Sequence, residues 1–451
     1  MSASSPDVSS PGYRRYLFAI VVGVMMLNTV DRHVVAILVD PIKGELGLSD
    51  SQMGWILGPS FTLVYTAAVL PLARWADRGV RRDIIALGLS VWSLFTMATG
   101  WVQGYLQLFV MRMGVGIGEA SASPAIQSLI SDTVPPEHRS QGLSFISVGA
   151  VLGLAVGMAG GGWVNELWGW RAAFLIAGAP GLLVAILFRL TVREPARGQS
   201  EGRAAEQGER RSLLEDGRYL LSLPAMRWLL VAHAFALLYT SGKGAWEPSF
   251  IIRTYDMGTG AAGTWYFLTT PIPSMFGLWL GGWLCDHWAA RDERAYLWVP
   301  ALSLLGSLPF MLLFLLWPED HRIDPGGGLP LFPVAFAWSI ASSILGAMHS
   351  APFLSLVQGL ARVRMRASAA AIFSLTGTGV GSAIGPLVVG YLSQSFEAVY
   401  GEDSLRWGLV WLSVGFVASA ATCVLSARTV RGDLSRARAE RDAESGATTA
   451  G

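Results

Sequence analysis

The sequence predicts an all-α membrane protein in which twelve transmembrane helices form two pseudo-symmetric six-helix bundles. Hydrophobic residues make up 52% of the 451 positions and charged residues only 14%, whereas about 25% of the residues in an average soluble domain are charged. A helix needs about 20 mainly apolar residues to cross a bilayer. Segments that meet this requirement lie at 16–39, 52–73, 83–101, 105–130, 141–164, 171–192, 226–251, 262–284, 295–317, 330–355, 367–394 and 405–427.

The two halves of the chain match each other in sequence, which indicates an internal duplication. The matched pairs follow the same order in both halves: 72–82 with 281–294, 137–161 with 364–390, and 169–174 with 405–410. We therefore expect an N-terminal bundle over residues 1–192 and a C-terminal bundle over 226–427. A central loop (193–225), ending in a short amphipathic helix, would join them, and a solvated tail (428–451) would follow. Repeats of this kind in transporters place the substrate site near the membrane midplane, between the two halves.

The distribution of basic residues predicts that both termini are cytoplasmic. Two lysines against abundant arginine indicate a GC-rich bacterial genome, so we expect a bacterial inner membrane. With that orientation, the short inner loops and the N-terminus carry Arg14, Arg15, Arg74, Arg78, Arg81, Arg82, Arg139, Arg291, Arg294, Arg362, Arg364 and Arg366. The outer side then carries only Lys43, Arg171, Arg253, Arg322 and Arg406, as the positive-inside rule requires. The net charge of +1 gives no case for nucleic acid binding. Phosphate-binding loops, metal clusters and hydrolase motifs are missing from the sequence, so we expect a non-enzyme without cofactor or metal.

Charged residues at bilayer depth are the main candidates for function in the first half. A charge there costs about 2.5–3.5 kcal/mol on insertion scales, so it needs a partner or a polar cavity. Asp31 lies in the first helix, and Arg112 and Glu119 lie two turns apart on one face of the fourth, about 10 Å from each other. We predict that these three residues couple transport to protons, because burial and a nearby arginine have opposite effects on a carboxylate. The alternative is a structural Asp31–Arg112 ion pair.

Arg32 is left outside this set of proton-coupling residues. It points about 100° away from Asp31 around the helix, so it either pairs with another helix or supports packing. Gly114, Gly116 and Gly118 in the fourth helix would allow a close approach of neighbouring helices.

The second half has its own charged residues at depth, in the seventh and tenth helices. Lys243 and Glu247 are spaced i,i+4, which permits a mutual salt bridge, and Gly242, Gly244 and Pro248 predict a break in this helix. His349 is the other titratable group expected at depth, with a structural role as the alternative. Together with Arg112, we predict that Lys243, Glu247 and His349 bind substrate. The rest of the lining is expected to consist mainly of Phe, Leu, Met and Trp.

A short basic loop follows the second helix and carries the first family resemblance. Residues 73–82, ARWADRGVRR, are similar to the G-x-L-A-D-R-x-G-R-R pattern of the major facilitator superfamily, although the first Gly and the Leu are replaced. A carboxylate at a helix end can meet the positive N-terminus of another helix. We therefore predict that the conformational gating residues are Asp77, Arg78, Arg81 and Arg82 with Asp286 of the second half. Arginines that only follow the positive-inside rule are the alternative.

Two further segments resemble the spinster family of lipid transporters within this superfamily. LNTVDRHVVA (27–36) is similar to that family's N-Y-x-D-R segment, with Thr29 in place of Tyr. RMGVGIGEA (112–120), followed by the turn PEHR (136–139), is similar to its R-x-x-x-G-x-G-E-A and P-x-x-R elements. The resemblance implies a major facilitator fold and proton-linked transport of lysolipids or sphingolipid-like amphiphiles.

The predicted function is thus proton-coupled secondary transport of an amphiphilic lipid, by rocking alternating access. The alternative is a proton-linked drug exporter or a transporter of small organic anions, with Arg112 as the anion clamp. The expected partners are a small-molecule or lipid substrate, protons and membrane lipids, and the chain is expected to be a monomer. A receptor or scaffold that does not transport would not need charges at depth on four helices.

Overall fold

The structure is a computed structural model that describes residues 11–134, 138–195, 213–323, 332–362 and 365–449. Within these ranges it leaves out the side chains of Pro11, Asp77, 139–141, 213–214 and 441–449. The chain divides into two compact units. Unit 1 contains residues 1–209 and 257–264, and unit 2 contains 210–256 and 265–451.

Unit 1 is all-α. Its helices are α1 (Pro11–Ile37), α2 (Val39–Leu46), α3 (Asp50–Leu57), α4 (Pro59–Arg78), α5 (Arg81–Thr99), α6 (Tyr105–Ala120), α7 (Ala122–Thr133), α8 (Arg139–Ala155), a π-helical turn (Val156–Gly160) and α9 (Gly161–Thr191). Within α9, Gly169 has a φ of 82°, which breaks the helix between the fifth and sixth predicted segments. A glycine suits this position because it adopts positive φ at no steric cost.

Unit 2 is also helical, apart from one two-residue antiparallel pair of strands. Its helices begin with α10 (Leu213–Ser222), α11 (Pro224–Tyr255), α12 (Thr259–Thr269), α13 (Pro271–Ala289) and α14 (Ala295–Leu316). The strands β1 (Arg322–Ile323) and β2 (Phe332–Pro333) follow. The chain continues as α15 (Ala335–Ala347), α16 (Ser350–Leu360), α17 (Arg366–Thr376), a π-helical turn (Gly377–Ser382), α18 (Ala383–Tyr400), a 3₁₀ turn (Gly401–Asp403), α19 (Ser404–Leu412), α20 (Val414–Ala427) and α21 (Val430–Thr449).

The all-α prediction is confirmed, and eleven of the twelve predicted segments lie on one helix or on consecutive helices, while the segment 330–355 also includes β2 (Phe332–Pro333). Six helical stretches are individually long and apolar enough to cross a bilayer. Two of them, 142–191 and 366–427, contain 50 and 62 residues, which is enough for two crossings each. The expected amphipathic helix at the end of the central loop is present as α10.

Small residues bring helices into backbone contact in the same way in both units. In unit 1, a Cβ on Gly149 or Gly153 of α8 would lie 2.6 Å and 2.3 Å from the carbonyl oxygens of Val22 and Met26 in α1. In unit 2, a Cβ on Gly385 of α18 would lie 2.2 Å from the carbonyl oxygen of Leu238 in α11. The duplicated glycine-bearing segments therefore make the same type of contact, which supports the internal repeat.

Two expectations about unit 2 are wrong. The glycines and Pro248 do not break the seventh predicted span, because α11 runs without interruption from Pro224 to Tyr255. Gly242 instead allows α11 to pack closely on α18, since a Cβ there would lie 2.8 Å from the carbonyl oxygen of Gly385. The tail is not merely solvated, because α21 packs on the other helices of unit 2 and its Leu434 and Ala437 are buried.

The first residues of α12 belong to unit 1. The Thr259 hydroxyl donates to the carbonyl oxygen of Gly162 at 2.8 Å and accepts from the Asn165 amide at 3.0 Å. The backbone N–H of Gly260 donates to Glu166 Oε1 at 2.8 Å. A carboxylate at this position satisfies a free N–H of the first turn and complements the helix dipole.

Candidate functional site

Four charged side chains form a cluster inside unit 1, on α1 and α6. Asp31, Arg112 and Glu119 are 1%, 3% and 0% exposed, so all three predicted proton-coupling residues are buried as expected from their depth. Asp31 lies close enough to Glu119 for the two carboxylates to repel each other electrostatically. Arg32 is the fourth member of the cluster, and its side chain is 34% exposed.

The ion pair inside the cluster is not the Asp31–Arg112 pair that was considered from the sequence. Arg32 Nε donates to Glu119 Oε2 and forms an ion pair with it, so of the two roles left open for Arg32 the structure supports pairing with another helix. Arg112 Nη1 donates to the backbone carbonyl of Asp31 at 3.1 Å rather than to its carboxylate. Asp31 Oδ1 and Glu119 Oε1 are buried without a hydrogen-bond partner among the described residues. Each can therefore accept a proton or a new donor.

Two aromatic rings of α4 complete the cluster, and the sequence analysis did not identify them. The guanidinium of Arg32 lies 5.0 Å from the ring centroids of both Phe61 and Tyr65, and that of Arg112 lies 5.2 Å from Phe61. Cation–π contacts of this kind stabilise a guanidinium that is partly removed from water. Nothing in the local pattern of α4 distinguishes these rings from ordinary packing residues.

The glycines of α6 position the cluster as predicted. A Cβ on Gly116 would lie 2.9 Å from the backbone carbonyl of Phe61, and one on Gly118 would lie 2.6 Å from the backbone nitrogen of Trp92. Neither neighbour is the end of a flexible side chain, so α4 and α5 can approach α6 only because these positions have no side chain.

Unit 2 contains a second buried charged pair, on α11. Lys243 Nζ lies 3.5 Å from Glu247 Oε2 and 3.3 Å from the hydroxyl of Ser343. Glu247 is 0% exposed, and its Oε1 accepts from Thr270 at 3.1 Å and from Ser339 at 3.0 Å. The i,i+4 salt bridge considered from the sequence is thus present.

A cavity of about 130 Å³ lies beside this pair. Its lining contains Lys243 and seven hydroxyl groups, those of Tyr239, Thr240, Tyr266, Thr270, Ser274, Ser342 and Ser343. The expected residue types are therefore wrong for this cavity, since Phe416 is the only Phe, Leu, Met or Trp among the described residues that line it, although most of the exposed wall is still apolar. Serine and threonine hydroxyls are small and common in apolar segments, so the hydropathy of the segment conceals them.

His349 is buried as predicted, but it is not the only other titratable side chain at depth in unit 2. His349 Nδ1 hydrogen-bonds the carbonyl oxygen of Gly346 at 2.7 Å. His233 of α11 is also buried and stacks on Phe373 at a centroid distance of 3.7 Å. Both imidazoles contact the ring of Phe353, at 6.3 Å and 5.3 Å. The sequence analysis overlooked His233, although it lies in a predicted span.

The basic loop contains one arginine with a clear structural role. Arg81 is 0% exposed, forms an ion pair with Asp132, and donates to Glu194 at 2.7 Å and to the Ser128 hydroxyl at 2.9 Å. Glu194 also accepts from the backbone N–H of Arg82 at 2.9 Å, at the N-terminus of α5. Arg81 thereby ties α5 to α7 and to the chain that follows α9, all within unit 1.

The other predicted gating residues make fewer contacts than Arg81. The side chain of Asp77 lies outside the described part of the structure, and Arg78 and Asp286 are exposed. Arg82 forms an ion pair with its neighbour Asp83 at 3.1 Å. Among the described residues, no group of three or more His, Cys, Asp or Glu side chains is arranged to hold a metal ion.

Two repeated helical units, each with buried charged residues, are typical of a membrane transporter. Residues 21–386 match the family model of the major facilitator superfamily, and the chain belongs to this superfamily. Within it, the chain is similar to spinster transporters. A solved bacterial homolog of the human lysosomal transporter spinster, in an inward-facing and unoccupied conformation, is 26% identical and superposes with a TM-score of 0.83, covering 94% of this chain and 99% of that one.

Two curated relatives show how broad the group is. An MFS-type efflux pump of Mycolicibacterium smegmatis is 33% identical, and the match covers 91% of this chain and 92% of the relative. A D-galactonate transporter of Escherichia coli is 25% identical, covering 86% and 92%. Relatives with such different names support transport as the shared activity without fixing one substrate.

Proposed function

We propose that this chain is a proton-coupled secondary transporter of an amphiphilic lipid, of the lysophospholipid or sphingoid type, that works by rocking alternating access. The observation that carries the proposal is the cluster in unit 1 of buried Asp31, Arg112 and Glu119 with the partly exposed Arg32. A fold that needed only stability would not keep four charges on two membrane-spanning helices, because unpaired buried charge is costly.

The cluster suits reversible protonation. Two carboxylates that repel each other cannot both remain charged at low cost in a buried site, and two guanidiniums compete to neutralise them. Asp31 and Glu119 each keep one unpartnered oxygen, so a proton can be added without first breaking a hydrogen bond at that atom. Because the two carboxylates interact, their titrations are coupled and belong to the pair.

An apolar cavity in unit 1 supports an amphiphilic substrate. It has a volume of about 270 Å³ and is lined by α1, by α9 and by the π-helical turn that precedes α9. Its residues include Met26, Val30, Val164, Ile176 and Pro180. A cavity with this lining suits part of an acyl chain. The likeness to solved spinster homologs points to the same class of transporter.

A small organic anion is the second candidate substrate. The cavity of unit 2, with Lys243 and seven hydroxyl groups, favours it, and one relative carries the name D-galactonate transporter. Under either substrate we retain Lys243, Glu247, His349 and Arg112 as binding residues. We also retain the gating role of the basic loop and of Asp286, the division into bundles 1–192 and 226–427, and an inner-membrane location with cytoplasmic termini.

The test is transport in proteoliposomes with and without an imposed pH gradient. A fluorescent lysophosphatidylethanolamine reports lipid movement by dithionite quenching, and a radiolabelled hexonate reports movement of a free anion. We expect the gradient to drive the lipid at least several-fold faster in the wild type. Asp31→Asn should lose this acceleration while retaining downhill movement.

Glu402→Gln provides the matched control, because Glu402 is an exposed carboxylate in the Gly401–Asp403 turn. It should behave as the wild type. Equal lipid rates with and without the gradient, or a gradient response that survives in Asp31→Asn, would contradict proton coupling through this cluster. Gradient-driven movement of the hexonate alone would favour the second substrate.

A further inference from the structure

We propose that the hydroxyl-lined cavity of unit 2 is a recognition subsite for an anionic group flanked by hydroxyls, with the Lys243 ammonium as the anion-binding group. The inference rests on the proposed function and narrows its substrate class. The subsite is the cavity between α11, α12, α13, α15 and α20, defined by Lys243, its seven hydroxyl neighbours, and the ring of Phe416.

The subsite is built from buried polar groups rather than from surface residues. Lys243 is 6% exposed, Tyr239 and Ser342 are 2% exposed, and Tyr266 and Ser343 are 5% exposed. Buried polar side chains are normally satisfied by hydrogen bonds, and a cavity in which several of them converge is the usual form of a small-molecule site.

Lys243 has capacity for a further partner. An ammonium carries three donors, yet the contacts of Lys243 to Glu247 and Ser343 are long, at 3.5 Å and 3.3 Å. Glu247 is held independently, because Thr270 and Ser339 donate to its other oxygen. An incoming anion can therefore replace the long contact to Glu247 Oε2, which has no hydrogen-bond partner among the described residues, while Glu247 Oε1 keeps its two donors.

Charge balance adds a condition to binding. Lys243 and Glu247 together are neutral, so an anion leaves the buried site with a net negative charge, which is costly. The cavity-lining side chains of α13, α15 and α20 are serines, Gly346, Ala347 and Phe416, with no ionisable group among them to offset that charge. We therefore expect Glu247→Gln, which removes one negative charge beside the subsite, to bind the anion more tightly than the wild type.

Size limits the group that fits. The cavity volume of about 130 Å³ lies below the roughly 300–1,000 Å³ of pockets that hold drug-sized ligands, so this cavity suits a small polar group. A carboxylate or phosphate with one or two neighbouring hydroxyls fits this description. Such a group can come from a free hydroxy acid or from the glycerol head of a lysophospholipid.

The experiment measures binding to the full-length transporter in phosphatidylcholine nanodiscs, by equilibrium dialysis with labelled glycerate in one arm and labelled lysophosphatidylglycerol in the other. We expect Lys243→Gln to weaken binding at least tenfold. Glu247→Gln should bind more tightly than the wild type, because it removes the negative charge beside the subsite. Glycerol lacks the anion and propionate lacks the hydroxyls, so both should compete poorly.

The outcomes separate the two ligand sources. Lys243-dependent binding of glycerate assigns a free hydroxy acid, and Lys243-dependent binding of lysophosphatidylglycerol alone assigns a lipid head group. The double variant Lys243→Gln/Glu247→Gln keeps the site neutral and controls for folding: it should melt near the wild-type temperature and fail to bind. Binding of either ligand that is insensitive to Lys243, or no binding at all, would overturn the subsite. Because no step uses a pH gradient across a membrane, this result is independent of proton-driven transport.

Discussion

At the scale of single residues, the depth of a charge could be predicted from the sequence but its partner could not. The positions of Asp31, Arg112 and Glu119 in apolar segments were enough to predict burial, and all three are buried. Which guanidinium meets Glu119 depends on the rotation of α1 against α6, which is a property of the packed unit. Helical spacing within one segment carries no information about this rotation, so Arg32 was not predicted as the partner.

The Arg32–Glu119 ion pair leads to a stability prediction. Arg32→Gln removes the cation from a carboxylate that is 0% exposed. It should lower the free energy of unfolding by about 1–3 kcal/mol, the penalty for leaving a buried acceptor unsatisfied. Thermal melts of the purified transporter in nanodiscs provide the measurement.

Glu119→Gln in the Arg32→Gln background provides the control. Since the buried charge is then gone, the double variant should recover part of the loss, and the interaction energy follows from the double-mutant cycle. Additive losses would show that the two side chains are energetically independent.

At the scale of elements, hydropathy predicted the spans but not the packing of the polar helix after them. The twelve apolar segments are long, and their helices follow from length and composition alone. The tail has a polar composition, which gave no reason to expect that α21 contacts unit 2. Its contacts are specific: Asp433 accepts from the backbone N–H of Ala225 at 2.8 Å, and Glu440 accepts from Tyr219 at 2.6 Å and from Arg362 at 2.9 Å.

Glu440 gives a prediction with a defined pH window. Partial burial raises the pKa of this carboxyl, but hydrogen bonds from Tyr219, Arg362 and Arg436 dominate and lower it to about 2. A lowered pKa means that the stabilisation is fully present above the ordinary value of about 4.3 and is lost only as the pH falls toward 2. Glu440→Gln should therefore loosen α21 equally at pH 5.5 and pH 7.5, as measured by hydrogen exchange over residues 430–440.

Arg436→Gln is the matched control for this prediction. Arg436 is 58% exposed and contacts the same carboxylate, so its loss should change exchange in α21 much less than loss of Glu440, as expected of an exposed ion pair. A strong dependence of the Glu440→Gln effect between pH 5.5 and 7.5 would show that another titrating group controls α21.

At the scale of the whole molecule, the duplication could be predicted from three short matches, and the fold followed from it. The basic loop, the charges at depth and the repeat each suggested the same superfamily, which the family model confirms. The hydroxyl-lined cavity could not be predicted, because its lining residues are spread over five helices between Tyr239 and Phe416. Each is an ordinary serine, threonine or tyrosine in its own segment.

The charge distribution predicts the orientation of the whole chain in the membrane. Gln103, in the turn between α5 and α6, and Ser222, at the end of α10, are both exposed. If both termini are cytoplasmic, an impermeant maleimide applied to intact spheroplasts should label Gln103→Cys, whereas Ser222→Cys should require permeabilisation. The native cysteines, Cys285 and Cys423, are buried, and the unsubstituted chain gives the background labelling. The reverse pattern would contradict the positive-inside assignment.

The scarcity of lysine makes the cavity of unit 2 unusually easy to monitor by chemical footprinting. The chain has two lysines, Lys43 and Lys243. Lys43 pairs with Asp50 at 2.7 Å and remains 31% exposed, whereas Lys243 is buried beside Glu247. In reductive methylation followed by mass spectrometry, Lys43 is an internal reference for reagent access. The ratio of the two modified amines then reports how often the cavity opens, and whether a ligand fills it, with no label added to the protein.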